Sequence, residues 1–481
     1  MRAHRTLLLC LIAALAFASA DSALAQKMMD RGSETSGMRP SGPSGGGYHG
    51  GGRGPGWGSV VPGIIMAVPQ SSGPFIDDSA PTSRRQANRR GSSGAPPANE
   101  RRLVPDEVVI ELSNSVSAQQ VDALQRRFNL IRIESEPFQL TNSTLYRWRI
   151  PDRRSVPTVV RALEGDRLVA SAQPNYLFTL QQSEARSEGD PAQYELAKLH
   201  LPQAHTLAKG DNILVAVIDS GVDITHPELA GSIAGVLDTG KVPAPAHKHG
   251  TAVAGLVAAH GKLMGAAPGA KLLAVHAFDP KDAGAEGTTF NILKGIDWAA
   301  AHGARIINMS FAGPADPAIH RLLEAARKKG IVLVAACGNA GANSPPLYPA
   351  ADPNVIAVSA TDAEDKLFEQ SNRGRHIAIA APGAQILVAA PESGYDVSSG
   401  TSYSAAEVSG IVALMLQRKP DLTPEQVRNI LQVTAKDLGP KGPDVMFGAG
   451  LADAYGALTR EVASPTAAGP RAVERVSAGA R

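Results

Sequence analysis

The chain has 481 residues, enough at about 100–200 residues per domain for two to four domains with a substantial core. Basic residues number 47 and acidic ones 45, and a formal charge of +2 lacks the basic surplus that a dedicated nucleic-acid binder needs for its phosphate contacts. The two cysteines, Cys10 and Cys337, offer neither a disulfide framework nor a cysteine-rich zinc site.

In chain order, Arg2 and Arg5 precede an apolar stretch over residues 7–18, and small residues follow at Ala18-Ser19-Ala20 and Ala23-Leu24-Ala25. That pattern predicts a cleaved signal peptide over residues 1–25, which removes Cys10 and sends the protein to the periplasm or the exterior. The apolar run is too short to cross a bilayer, and no later segment approaches that length, so no membrane span is expected in the mature chain. Residues 26–103 are rich in Gly, Pro, Ser and Arg and are expected to be a disordered linker, because such a composition buries too little to offset its ordering entropy.

Residues 104–181 change character. Residues 108–112 read as a strand, Ser117 as an N-cap, and Val121, Leu124 and Phe128 recur at helical spacing. Residues 145–150 alternate with period two, residues 156–163 suit a helix, and residues 168–172 with Tyr176-Leu177-Phe178 suit a last strand. Two such rounds predict a small ferredoxin-like β-α-β-β-α-β module.

Over residues 190–460 strands and helices alternate. Strands are expected at residues 213–218, 272–275, 305–309, 331–335 and 355–359, and helices after Gly250 and at residues 288–301, 317–329, 402–418 and 424–433. Several of the strands are nearly uninterrupted apolar runs, as expected of a doubly wound, mostly parallel sheet covered on both faces. Residues 461–481 are expected to form a disordered tail.

Four positions in this α/β region carry chemistry. Asp219 ends an apolar strand, at the sheet edge where open α/β folds hold their ligands, although a strand-end Asp taken alone is more often a turn residue or a cap. His249 opens a helix at His249-Gly250-Thr251; its neighbour His247 raises a two-histidine metal site, but no nearby carboxylate or cysteine completes a ligand set, so no metal is expected. Ser402, in Ser399-Gly400-Thr401-Ser402, enters the first turn of a long apolar helix, where developing negative charge is favoured. A serine nucleophile needs a histidine base and a carboxylate that orients it, and the order Asp219, His249, Ser402 is that of subtilisins among the known triads. Asn339, in Cys337-Gly338-Asn339, leaves a buried strand on a glycine-flanked turn and could donate to an oxyanion.

These segments resemble the subtilisin (subtilase) family of serine endopeptidases. Val217-Ile218-Asp219-Ser220-Gly221-Val222 with His226-Pro227-Glu228-Leu229 is similar to its Asp motif, His249-Gly250-Thr251 to its His motif and Gly400-Thr401-Ser402 to its Ser motif. The resemblance implies a subtilisin-like α/β fold that hydrolyses protein or peptide substrates through an acyl-enzyme, with Asp219, His249 and Ser402 catalytic and Asn339 in the oxyanion hole. It also implies that Ser310, Phe311, Ala312 and Gly313 pair with substrate backbone, and that Cys337 and Gly338 line the specificity pocket. Gln173-Pro174-Asn175-Tyr176 resembles the end of a subtilase propeptide, so residues 104–181 are expected to be an inhibitory and folding-assisting prodomain, an intramolecular partner that is cut off between about residues 180 and 189.

The chain also departs from the family pattern. Ala252 stands where a second histidine is frequent, Tyr403 where methionine is usual, and Ala406-Glu407 in place of a proline and its neighbour. The family's frequent calcium site uses the loop at residues 260–267 with an upstream carboxylate corresponding to Glu228. That loop has no Asp, Asn or Gln, so the site is expected to be absent or degraded and no cofactor is assigned. Cys337 is expected to be an inert buried thiol. The competing reading is a weak or inactive pseudoprotease that binds peptides or partner proteins through the same cleft.

Overall fold

The computed structural model describes residues 93–181, 193–240, 245–281 and 284–461. The expected signal peptide with Cys10, most of the expected Gly-rich linker, the chain just beyond Gln181 and nearly all of the expected tail lie outside the described residues. From Ser93 the segment assigned to the linker lies along the first module, where Gly94 N donates to Glu164.

The N-terminal module runs β1 (Leu103–Ser113), α1 (Ala118–Arg127), β2 (Ile131–Phe138), β3 (Ser143–Arg149), α2 (Val156–Glu164) and β4 (Val169–Leu180), the β-α-β-β-α-β order read from its periodicity. Ser117 caps α1 in a reciprocal box with Gln120. The sheet order β2-β3-β1-β4 is antiparallel, and its apolar face closes on both helices around Val108, Ile110, Leu124, Trp148 and Val160.

The larger module begins with two short helices, α3 (Tyr194–Lys198) and α4 (Leu201–Ala204). It continues through β5 (Leu214–Asp219), β6 (Ile233–Asp238), α5 (Lys248–Ala258), β7 (Lys271–His276), β8 (Phe278–Lys281), β9 (Gly284–Thr288) and α6 (Thr289–Ala301). Next come β10 (Ile306–Met309), β11 (Phe311–Ala312), α7 (Pro317–Lys328), β12 (Val332–Ala336), β13 (Ile356–Thr361) and β14 (Ile377–Pro382). It ends with the hairpin β15 (Ile386–Ala390) and β16 (Gly394–Ser398), then α8 (Thr401–Arg418), α9 (Pro424–Thr434) and α10 (Ala454–Thr459).

Seven of these strands form a parallel sheet in the order β14-β13-β12-β10-β5-β7-β6. Helices α5 and α8 cover one face, and α6 and α7 cover the other. The strand order reverses beside β5, and a crevice opens at the carboxyl ends of strands at such a switch point. Asp219 closes β5 there, between the ends of β10 and β7.

The two modules meet where β1 and β4 lie across the N-terminal turns of α6 and α7. Gln173 Nε2 donates to Asp316, the N-cap of α7, at 2.7 Å, and Tyr176 N donates to Thr289 Oγ1 at 3.0 Å. Asp297 on α6 accepts from the backbone N–H groups of Gln139 and Leu140 at 3.1 and 2.8 Å, and Arg321 on α7 donates to Glu111 at 2.7 Å.

One acidic pair lies inside the apolar packing. Glu407 on α8 is buried, and its carboxyl is pushed well above the usual range by desolvation and then by the charge of Glu195. Glu195 on α3 is buried too, and burial pushes its carboxyl up to about 7 although Gln193 Nε2 donates to it. Each carboxyl keeps a buried Oε2 without a hydrogen-bond partner, which suits the neutral form that burial favours. An acid whose folded pKa is raised adds stability that is full below its unfolded value, near 4.5, and is lost as pH rises through the folded value. The Tm of the Ser402→Ala chain is therefore expected to fall by about 5 °C or more from mildly acidic to alkaline pH, and Glu407→Gln to flatten the decline in a calorimetric pH series.

Candidate active site

Asp219, His249 and Ser402 are fully buried at 0 % exposure and converge at the carboxyl edge of the parallel sheet. His249 reaches Asp219 because α5 starts against the turn that follows β5. A Cβ on Gly250 would lie 2.5 Å from the Ser220 carbonyl, so only glycine permits that approach. His249 Nδ1 donates to Asp219 Oδ1 at 2.7 Å, which fixes the tautomer and leaves Nε2 buried without a partner. Asp219 Oδ1 also accepts from Ser220 N at 2.7 Å, and Ser220 Oγ lies 2.9 Å from His247 Nδ1. Burial holds His247 below the usual histidine range, helped by the neighbouring His249.

Ser402 sits in the first turn of α8. Its hydroxyl donates to the carbonyl oxygen of Gln181 at 2.5 Å, with the Ser310 carbonyl 3.1 Å away. Gln181 directly follows β4, so the end of the N-terminal module is delivered to the serine. Asn339 is oriented by its own oxygen, because Oδ1 accepts from Thr401 N at 3.1 Å and from Thr401 Oγ1 at 2.9 Å. The amide Nδ2 is thereby turned away from Thr401, buried and without a partner. In an interior where buried polar atoms are normally satisfied, His249 Nε2 and Asn339 Nδ2 stand unpaired, while the Gln181 carbonyl is held by the serine hydroxyl.

The strand that carries Gln181 is gripped on both sides. Leu177, Phe178 and Thr179 pair with Thr288, Gly287 and Glu286 of β9, while Leu180 and Thr179 pair with Phe311 and Ala312 of β11. Gln181 N donates to Ser310 O at 3.2 Å, and its side chain folds back so that Nε2 donates to Thr179 O while Oε1 accepts from Asn339 N at 2.8 Å. Ser310, Phe311 and Ala312 thus lie along the bound strand. Gly313 lies beneath the Phe178 ring, where an added Cβ would sit 2.2 Å from that ring. Phe178 meets Phe311 edge-on at 6.0 Å between centroids, and Phe278 packs on Phe311 at 4.9 Å.

Cys337 is buried, its sulfur 3.4 Å from Ser371 Oγ, and desolvation pushes the thiol up to about 11, which keeps it protonated and unreactive at neutral pH. Gly338 N donates to Thr401 Oγ1 at 3.3 Å. Tyr403 lies beside His249 with ring centroids 6.0 Å apart, and its hydroxyl donates to Ser398 Oγ at 2.8 Å, so it occupies the wall of the site without displacing a proton-transfer group. Sequence reasoning did not single out Gln181, β9, Phe278 or the His247–Ser220 contact. Short glycine-rich edge strands carry no periodicity, and a lone Gln carries no motif.

Comparison with known proteins gives this site its context. The model of the subtilase family (peptidase S8) matches residues 210–450, about half of the chain. The chain belongs to the subtilase family. The fervidolysin N-terminal prodomain model matches residues 90–175. Thermitase of Thermoactinomyces vulgaris is 34% identical, across 55% of this chain and 95% of its own. A thermophilic serine proteinase of Bacillus sp. (strain AK1) is 30% identical across 82% and 98%. The crystal structure of fervidolysin from Fervidobacterium pennivorans, described as a keratinolytic enzyme related to subtilisin, superposes with a TM-score of 0.64 at 25% identity, covering 75% of this chain and 62% of that one. This subtilase is accordingly a subtilisin-like serine endopeptidase that carries an N-terminal prodomain.

The fit of Phe178 over Gly313 is directly testable in the Ser402→Ala chain. Gly313→Val is expected to lower Tm by about 5 °C or more, because the new side chain overpacks the aromatic cluster. Combining it with Phe178→Ala should cost less than the sum of the two single changes, which a double-mutant cycle by thermal melting measures.

Proposed function

We propose that this subtilase is a secreted endopeptidase made as a zymogen, which frees itself by cutting the peptide bond after Gln181 and then hydrolyses other proteins by the same route. The observation that carries the reading is the Gln181 carbonyl oxygen 2.5 Å from Ser402 Oγ, at the end of a strand paired on both sides. The signal-like residues 1–25 support export.

Ser402 Oγ attacks the carbonyl carbon while His249 Nε2 takes its proton, and Asp219 stabilises the resulting imidazolium through Nδ1. Charge developing on the carbonyl oxygen is met by Asn339 Nδ2 and by the N-terminal end of α8. Collapse of the adduct expels the amine, which leaves with the proton from His249. A water then hydrolyses the ester on Ser402 by the reverse proton transfers. Until the cut strand leaves, it blocks the cleft it was cut in, so the prodomain acts as an intramolecular inhibitor. Substrates are expected to bind as β4 does, with an aromatic side chain in the Phe178 position, three residues before the residue whose carbonyl is attacked.

Intact-mass analysis of purified wild type and Ser402→Ala tests the proposal. The wild type should yield a mature chain starting at or beyond Gln182 and label on Ser402 with a fluorophosphonate, whereas Ser402→Ala stays full length. Equal, unprocessed masses without labelling would sink it. Asn339→Ala should lower kcat about 100- to 1000-fold with little change in KM, a magnitude taken from subtilisin's own oxyanion asparagine rather than from this geometry.

A further inference from the structure

The turn Pro227–Leu229 and the loop that follows α5 meet at the carboxylate of Glu228, the position that in many subtilases belongs to a calcium site. A hard cation needs oxygens directed at it from several sides. Here the groups around Glu228 are donors. Oε1 accepts from Lys262 N at 2.8 Å and from the Tyr395 hydroxyl at 2.7 Å, while Oε2 accepts from Gly261 N at 2.9 Å and from Leu263 N at 3.1 Å. A carboxylate has about four lone-pair sites, and four donors fill them. The Lys262 ammonium, 5.5 Å from the Tyr395 ring centroid, adds positive charge at the same place.

The loop backbone is shaped for the carboxylate. A Cβ on Gly261 would lie 2.8 Å from Glu228 Oε2, so the glycine lets the anion approach the successive N–H groups of Gly261, Lys262 and Leu263. Gln193, the amide side chain beside the loop, is committed as well: Oε1 accepts from Met264 N at 2.9 Å, and Nε2 donates to Met264 O at 3.0 Å. The residues present therefore do not fit a calcium ion at this loop.

We propose that the Glu228 carboxylate replaces the cation, as an anionic staple that closes the loop at residues 260–264 without metal. The staple also spans the site. The loop follows α5, which carries His249 in its first turn, and Tyr395 lies on β16, the strand that leads to Ser402. His226 supports Tyr395 from the side, with edge-to-face rings 5.8 Å apart and Nε2 3.1 Å from Gly394 O. This inference concerns folding and does not rest on the catalytic reading.

The test is thermal unfolding of the full Ser402→Ala chain with excess chelator or excess calcium, with terbium luminescence as a direct probe of a lanthanide at the loop. The wild-type loop is expected to give a Tm that differs by no more than about 1 °C between the two conditions. Glu228→Gln should lower Tm by about 5 °C or more in both, and Tyr395→Phe by less. A saturable, calcium-dependent rise in Tm, or terbium binding, that Glu228→Gln abolishes would overturn the proposal. A calcium response that survives Glu228→Gln while that variant still melts early arises elsewhere and supports the staple. Should Glu228→Gln fail to fold, Tyr395→Phe takes its place, with calcium-dependent stabilisation lost in that variant as the contrary result.

Discussion

Strand β4 satisfies two edges at once, and the rest of the molecule is arranged around that pairing. An unpaired strand edge exposes a row of N–H and C=O groups that must find partners. The first half of β4 pairs with β1 inside the N-terminal module, and its second half enters between β9 and β11 of the larger one. A strand held by backbone hydrogen bonds on both sides has its register set, and the register places the next carbonyl, that of Gln181, on Ser402. Strand addition therefore brings this carbonyl to the serine without depending on the Gln181 side chain, which turns back onto Thr179 and Asn339.

Around that carbonyl the interior is small and satisfied, with chosen exceptions. Gly250 lets α5 meet the turn after β5, and Gly313 makes room for Phe178. Thr401 consumes the oxygen of Asn339, and Asp219 consumes Nδ1 of His249, so Asn339 Nδ2 and His249 Nε2 are left unpaired. The Ser402 hydroxyl meanwhile donates to the Gln181 carbonyl, so His249 Nε2 stays unpaired in this state.

The departures from the family pattern are accommodated by local partners. Tyr403 uses Ser398 for its hydroxyl and packs its ring beside His249. Glu407 is placed near Glu195, a pairing that makes stability proton-linked. Ala252 is buried in the face of α5 that packs on the core. In each case a residue that departs from the family pattern on α5 or α8 is accommodated by groups on neighbouring elements, and the His249–Asp219 contact is kept.

Much of the architecture is legible in the sequence. Apolar runs such as 213–218 and 331–335 announced strands buried on both faces, the capping pattern at Thr423-Pro424 announced α9, and the motifs at Asp219, His249 and Ser402 stood out by residue type and order. Other features were not legible. Gly284–Thr288 is too short and too irregular to read as a strand, yet it holds β4 together with Phe311–Ala312, which the family resemblance alone flagged as a pairing edge. Glu228 read as the remnant of a metal site, whereas in three dimensions four donors converge on it. By itself the sequence determined the reactive groups and the local elements that carry them, because periodicity, capping and residue chemistry act over a few neighbouring positions. The tertiary structure alone decided which bond lies on the serine, which atoms remain unpaired and what fills the Glu228 cage, because those depend on backbone groups far apart in the chain whose approach no local pattern encodes.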